Sequence, residues 1–317
     1  MLKIFAGWIT YSVLSIAPGS LSGKAVSFFI YDIIKIFSLL IVIIFVISVI
    51  RSFLPPERIR GILARKNKYF GNLLASLLGV ITPFCSCSAV PLFLGFVRAG
   101  VPLGVTFSFL IASPMINEVA LIMLLGMFGW KIALIYTGSG LIIAIFSGIV
   151  IGTLKIENLL MEFVLANKAS EGQFSYEMKW KERLAYAKSY TLQILQKVWL
   201  YVIIGIGIGA WIHGYVPADL MARYAGADKW YAVPLAVLIG IPLYSNAAGV
   251  IPLVSALTEK GVALGTTLAF MMAVTALSLP EFMILKTVMK TRLIVIFACI
   301  VGLGIIFTGY LFNLILK

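Results

Sequence analysis

Seven residues, Thr82-Pro83-Phe84-Cys85-Ser86-Cys87-Ser88, place two thiols, three hydroxyls and a proline inside a stretch apolar enough to cross a bilayer. Thiolates suit soft ligands: trivalent metalloids, copper(I) or sulfur species. Residues i and i+2 lie about 200° apart on a helix but on one side of an extended segment. Cys85 and Cys87 therefore reach one ligand only where the helix is unwound, and Pro83 favours unwinding. Irregular backbone at membrane depth is tolerated where protein or a water-filled cavity satisfies its polar groups. That makes the break a place for a solute, with Ser86 and Ser88 beside the thiols. Two thiolates are too few for a structural zinc site, and His213 is the only histidine. A Cys-x-Cys disulfide, with Cα atoms roughly 6.6 Å apart when extended, sits near the upper limit for closure.

Two carboxylates come next. Glu118 ends Ala112-Ser113-Pro114-Met115-Ile116-Asn117-Glu118, well inside the third apolar stretch. An ionisable group there costs about 3 kcal/mol on insertion scales, so it is expected to be buried and to carry a proton. Glu281, after Ser278-Leu279-Pro280, is its approximate counterpart and stands nearer a loop. Both are expected to couple transport to protons. Ser113, Asn117, Ser245 and Asn246 are neutral polar lining. Asp32 and Lys35, one turn apart, can pair on one helix face. Cys299, in the last span, reads as a small buried apolar residue.

The elements that must position these groups are helices in a membrane. The chain is 62% hydrophobic and 12% charged, with a mean hydropathy of +1.08, the composition of an all-α polytopic membrane protein. Apolar stretches at 28–50, 72–96, 103–127, 131–153, 192–213, 232–256, 262–285 and 293–316 approach or exceed the ~20 residues of a helical crossing. The net charge of +13 lies in short loops between spans. Positive-inside topology accounts for it and nucleic acid is not implied. There is no Walker loop, no histidine pair for haem and no potassium-filter signature, so the chain calls for no cofactor.

Shifted by 161 residues, the chain matches itself. Between Pro91–Ala112 and Pro252–Ala273, nine of 22 positions are identical, Gly100/Gly261, Leu103/Leu264 and Gly104/Gly265 among them. The shift carries the thiol motif onto Pro242-Leu243-Tyr244-Ser245-Asn246-Ala247-Ala248-Gly249. Internal repeats with paired broken segments are the mark of secondary transporters, whose sites lie between the repeats. The chain divides into an N-terminal interfacial segment (1–27), a first membrane repeat (28–153), a polar linker (154–189) and a second repeat (190–317). Residues 55–63 and the stretch from Pro217 read as short interfacial helices. Either all eight stretches cross, or 72–96 and 232–256 are re-entrant hairpins, leaving six crossings and inverted repeats. The second arrangement gathers the Arg51–Lys68 and Lys155–Lys188 loops, Arg98 and Lys286–Arg292 on one side, and satisfies the positive-inside bias better.

With these motifs assembled, the chain resembles the predicted-permease family that contains the ArsP-type organoarsenical exporters and the YraQ-like permeases. The resemblance rests on Thr82–Ser88, Pro91, Gly100-Val101-Pro102-Leu103-Gly104 and Ala112–Glu118, with Tyr31-Asp32, Lys35 and Ser278–Glu281 also fitting. It implies a multi-pass permease of the inner membrane, not an enzyme. It also implies a trivalent organoarsenical as cargo, moved outward, with Cys85 and Cys87 at the metalloid site. The partners expected are therefore a small solute and membrane lipid. A permease for a sulfur compound or soft metal, or a membrane thiol oxidoreductase, are the alternatives.

Overall fold

In lipid a backbone must satisfy its own hydrogen bonds, and this chain does so with helices interrupted at proline and glycine. The computed structural model describes residues 2–17, 20–51, 68–82, 86–116, 118–154, 156–161, 180–215, 229–243, 247–259 and 261–316. The helices are α1 (Leu2–Trp8), α2 (Leu21–Arg51), α3 (Lys68–Ile81), α4 (Ser86–Arg98), α5 (Leu103–Met115), α6 (Glu118–Thr153), α7 (Trp180–Tyr215), α8 (Ala232–Gly240), α9 (Ala247–Glu259), α10 (Leu264–Ala276), α11 (Leu279–Leu285) and α12 (Thr291–Ile315). Both interfacial helices expected from the sequence lie outside the described residues. α7 opens at Trp180, so it takes in the last ten residues assigned to the linker.

The shift of 161 reappears in the element bounds. It carries α4 onto α9 and α5 onto α10 residue for residue. The turns between them also correspond, with Gly100 at φ 79° and Gly261 at φ 86°. Close packing repeats as well. A Cβ on Gly79 would lie 3.0 Å from Ala112 Cβ, and one on Gly240 would lie 3.0 Å from Ala273 Cβ.

The direction of each helix follows from such contacts. Gly79, near the end of α3, meets Phe109 and Ala112 towards the end of α5. Asn72, near the start of α3, receives the Ser108 hydroxyl at 2.8 Å. α3 and α5 therefore run side by side in the same direction, and α4 must return the chain between them. Each of the three is about 20 Å long, short of the ~30 Å hydrocarbon core. α5 is buried along its whole length. The stretch 103–127, expected as one span, is cut after Met115, where Ile116 leaves helical geometry (φ −120°, ψ 74°). Its continuation runs from Glu118 to a bend at Gly129 (φ 83°, ψ 172°). The rest of α6 then comes back beside α5, with Gly140 against Met115 and Ile116, and Gly148 and Gly152 against Gly104. A Cβ added to Gly129 would meet nothing within 4 Å, so only the φ of this residue resists substitution. Gly129→Ala is expected to cost about 2 kcal/mol, since this φ/ψ pair is open to glycine almost alone, read as a lower melting temperature of the detergent-solubilised protein.

The starts of α5 and α10 stand at opposite ends of the bundle. Beyond the end of α6, Lys290 N–H donates to Leu159 O at 2.8 Å and Met161 N–H to Val288 O at 3.1 Å. The end of α6, beside the start of α5, is thus tied to the start of α12. At the far end of α12, Asn313 Nδ2 donates to Thr266 Oγ1 at 3.1 Å, near the start of α10. Contacts between the halves join corresponding helices (α2 with α7, α5 with α10, α6 with α12) or come as an exchanged pair, α4 with α11 and α9 with α6. A Cβ added to Gly304 would lie 3.3 Å from the side chain of Ile143, 161 residues away. A two-fold relation produces this pattern, because each contact is either its own mate or has one.

Leu134, Ile142 and Phe146 on α6, and Leu303, Phe307 and Leu314 on α12, are each more than half exposed. A solvated monomer does not carry apolar stripes of this extent, and lipid covers them. Cys299 belongs to the α12 stripe, between Val295 and Leu303. It is exposed and not buried as its residue type suggested.

Candidate functional site

In each half a helix–helix connection and a helix break come to the same level. α3 ends at Ile81 beside the end of α5 at Met115, so Thr82, which opens the Cys motif, stands next to the end of α5. The second half closes the equivalent contact with a backbone bond. Leu279 N–H, just past the α10–α11 break, donates to Ile241 O at the end of α8, 2.9 Å away. Since α5 and α10 enter from opposite ends and each reaches about 20 Å, their broken ends meet inside the bundle.

Tyr136, on α6, marks that meeting. It is 1% exposed, and its hydroxyl donates to Met115 O at 3.0 Å, a carbonyl in the last turn before the break. At the broken end of α10 the Thr275 hydroxyl is also buried and donates within its own helix, to Met271 O at 3.0 Å and Met272 O at 3.2 Å. Sequence reasoning passed over both residues. The available signal was the 161-residue shift, which pairs Tyr136 with Phe297 and so adds one hydroxyl to an otherwise apolar position.

The residues expected to form the site divide sharply. Ser113 is fully buried at the end of α5. Cys85, Asn117, Ser245 and Asn246 lie outside the described residues. The helix resumes at Ser86, so Ser86, Cys87 and Ser88 form the first turn of α4. The last three residues of the motif are therefore helical, where the sequence suggested an unwound segment around both thiols, and residues 83–85 lie outside the described residues. Cys87 stands in the N-terminal turn of α4.

The two glutamates exchange the environments expected of them. Glu118 is exposed, because the break at 116–117 makes it the first residue of α6, a position where an acidic side chain complements the helix dipole. Glu281, expected nearer a loop, is 1% exposed. It lies in α11, which packs on both α7 and the thiol-bearing α4. The shift pairs Glu281 with Ala120, itself 1% exposed. The same buried position holds a methyl in one half and a carboxyl in the other. Asp32 is also buried, at 8%, within the electrostatic reach of Lys35. The Lys35 ammonium stands 5.5 Å from the Tyr31 ring centroid. Among the described residues no three His, Cys, Asp or Glu side chains cluster as a metal site.

A multi-pass helical bundle whose broken segments converge on its interior is a membrane permease. The chain belongs to the ArsP-type predicted-permease family, whose pattern matches residues 22–314. It is 27% identical over 252 residues, 78% of this chain and 81% of the relative, to a Streptococcus mutans protein named as a candidate subunit of a two-component membrane permease complex. It is 22% identical over 309 residues to a UPF0718 protein of Methanocaldococcus jannaschii, covering 79% of this chain and 84% of that one. It is 22% identical over 269 residues to the UPF0718 protein YraQ of Escherichia coli, covering 83% and 73%. No solved structure matches.

Proposed function

We propose that the chain is a secondary transporter with inverted repeats that carries a soft, thiol-reactive solute out of the cell, a trivalent organoarsenical being the cargo class that fits best. The Leu279–Ile241 bond is the observation that carries this reading, because it brings a hairpin end and a helix break together. Transporters of this kind bind their cargo between such elements. Cys85 and Cys87 hold the cargo, with Ser86, Ser88, Ser113, Asn117, Ser245 and Asn246 as polar lining. Arg98, the start of α7 with Lys181, Arg183 and Lys188, and Lys286–Arg292 share one end of the bundle, consistent with Arg98 lying over Tyr190 of α7 at 5.9 Å. The positive-inside bias assigns that end to the cytoplasm of the inner membrane. The expected test is accumulation of a trivalent methylarsenical in everted vesicles under a verified proton gradient. No accumulation above vesicles lacking the protein rejects this cargo.

Glu281 is the better coupling carboxyl. It is buried where α11 packs on α4 of the other half, and ionisable groups held inside a membrane protein mark proton pathways. Glu118, being exposed, contributes little. Glu281→Gln is expected to remove the response of transport to the proton gradient by at least about tenfold, while cargo exchange without a gradient persists. Glu118→Gln is expected to stay within about twofold of wild type. The reverse order would return the coupling role to Glu118.

A further inference from the structure

We propose that the groove between the segment after α6 and the start of α12 binds one anionic phospholipid of the cytoplasmic leaflet. Its phosphate would lie on Arg292 and its acyl chain along the outer face of α12. The groove has a volume of about 660 Å³. At about 30 Å³ for each water-sized group, that is far more room than a phosphate alone needs. Asn158, Thr291 and Arg292 are its polar side chains, and Leu159, Val295 and Ile296 give it an apolar wall. No carboxylate lines it among the described residues. A guanidinium presents a planar fork of N–H donors that matches the oxygens of a phosphate.

The backbone builds this groove. Past α6 the chain is fastened to the residues that precede α12. Leu160 and Met289 form an antiparallel bridge, and Lys290 N–H donates to Leu159 O at 2.8 Å. One wall thus follows the first half and the other belongs to the second, so a lipid seated between them braces both. Two features select a lipid over a dissolved anion. Arg292, Val295, Cys299, Leu303 and Phe307 recur at spacings of three and four, which puts them on one face of α12. Val295, Leu303 and Phe307 are each more than half exposed, so the charge stands at the head of the stripe that lipid covers. Lys286 and Lys290 are exposed at the same end of the bundle. Basic pockets between spans on the cytoplasmic side hold anionic headgroups. The position related by the 161-residue shift is filled differently. Trp130 stands there in place of Thr291, and its indole, 63% exposed, is a side chain of the membrane–water interface. Only the assignment of this end to the cytoplasm is taken from the transport reading; the cargo does not enter.

The test uses the purified full chain in a neutral detergent, with its melting temperature followed as dioleoylphosphatidylglycerol is added. A ligand of the folded state raises that temperature with its concentration. Phosphatidylglycerol is expected to raise it by several degrees, and phosphatidylcholine with the same chains by much less. Arg292→Gln is expected to move the half-maximal lipid concentration up about tenfold, the loss of one hydrogen bond to a charged group. Lys181→Gln removes a charge from the same end but outside the groove, and is expected to stay within about twofold. Equal responses to the two lipids would overturn the site, as would an unchanged midpoint in Arg292→Gln or an equal loss in Lys181→Gln. Should Arg292→Gln fail to fold, Val295→Asp decides alone, because Val295 is exposed and its replacement opens no cavity. The carboxylate is expected to abolish the response to phosphatidylglycerol, and a retained response would overturn the site. Glycerol phosphate that reproduced the shift at the same concentrations would make the groove a site for dissolved anions and remove the lipid. Melting needs no cargo, so a protein that moves no arsenical leaves this site standing. A protein that moves arsenical without preferring phosphatidylglycerol removes the site and keeps the transport reading.

Discussion

Everted vesicles carrying Cys85→Ser/Cys87→Ser are expected to accumulate no more trivalent methylarsenical than vesicles without the protein. Each single replacement is expected to cost almost as much as the double. A metalloid bound by two thiolates gains from the second at the high effective concentration set by the first, and one remaining thiolate lacks that gain. The chain enters the first turn of α4 at Ser86, which places Cys87 in that turn. Serine keeps the size and hydrogen bonding of cysteine and removes only the soft donor, so expression and melting temperature should match wild type. Single variants that retain half of the uptake would show that the thiols act separately, and uptake surviving in the double variant would move the cargo site elsewhere.

The second large effect concerns folding. A methyl on Gly104 would fall on Gly148 O and lie 2.9 Å from Gly152 Cα, and a methyl on Gly265 would lie 2.6 Å from Gly309 O. Each of these neighbours is backbone, so neither can turn aside, and α5 or α10 must move away from its partner helix. Gly104→Ala and Gly265→Ala are therefore each expected to lose about 3 kcal/mol, seen as aggregation on detergent extraction or a large fall in melting temperature. Gly138→Ala provides the contrast, since nothing lies within 4 Å of its added methyl, and helix propensity favours alanine. Intact, monodisperse protein from both Gly104→Ala and Gly265→Ala would mean that the helices do not pack this closely.

These two positions show where sequence reading reaches and where it stops. Gly104 and Gly265 are visible as identical residues of a duplicated segment, but identity does not say whether a glycine serves a turn, a close approach or nothing. The answer came from helices α6 and α12, more than forty residues further along the chain. The carboxylates make the same point more sharply. Placed by its depth in an apolar stretch, Glu118 looked buried; the break two residues earlier turned it into an exposed helix start. Glu281 looked peripheral beside its proline, and is buried because α7 and α4 close over it.

What the sequence determined by itself was everything that composition and neighbouring residues encode: a helical membrane protein, its duplication at 161 residues, the thiol-bearing break and the clustering of basic loops. Those properties are local, since hydropathy, proline and glycine act on the few residues around them. The tertiary structure alone decided that α5 and α10 are broken, that they enter from opposite ends, and that Tyr136, Thr275 and Glu281 are held in the interior. Burial and hydrogen-bond partnership are properties of what comes to lie against a residue, and here that is chain from a distant helix: the end of α5 for Tyr136, and α4 and α7 for Glu281.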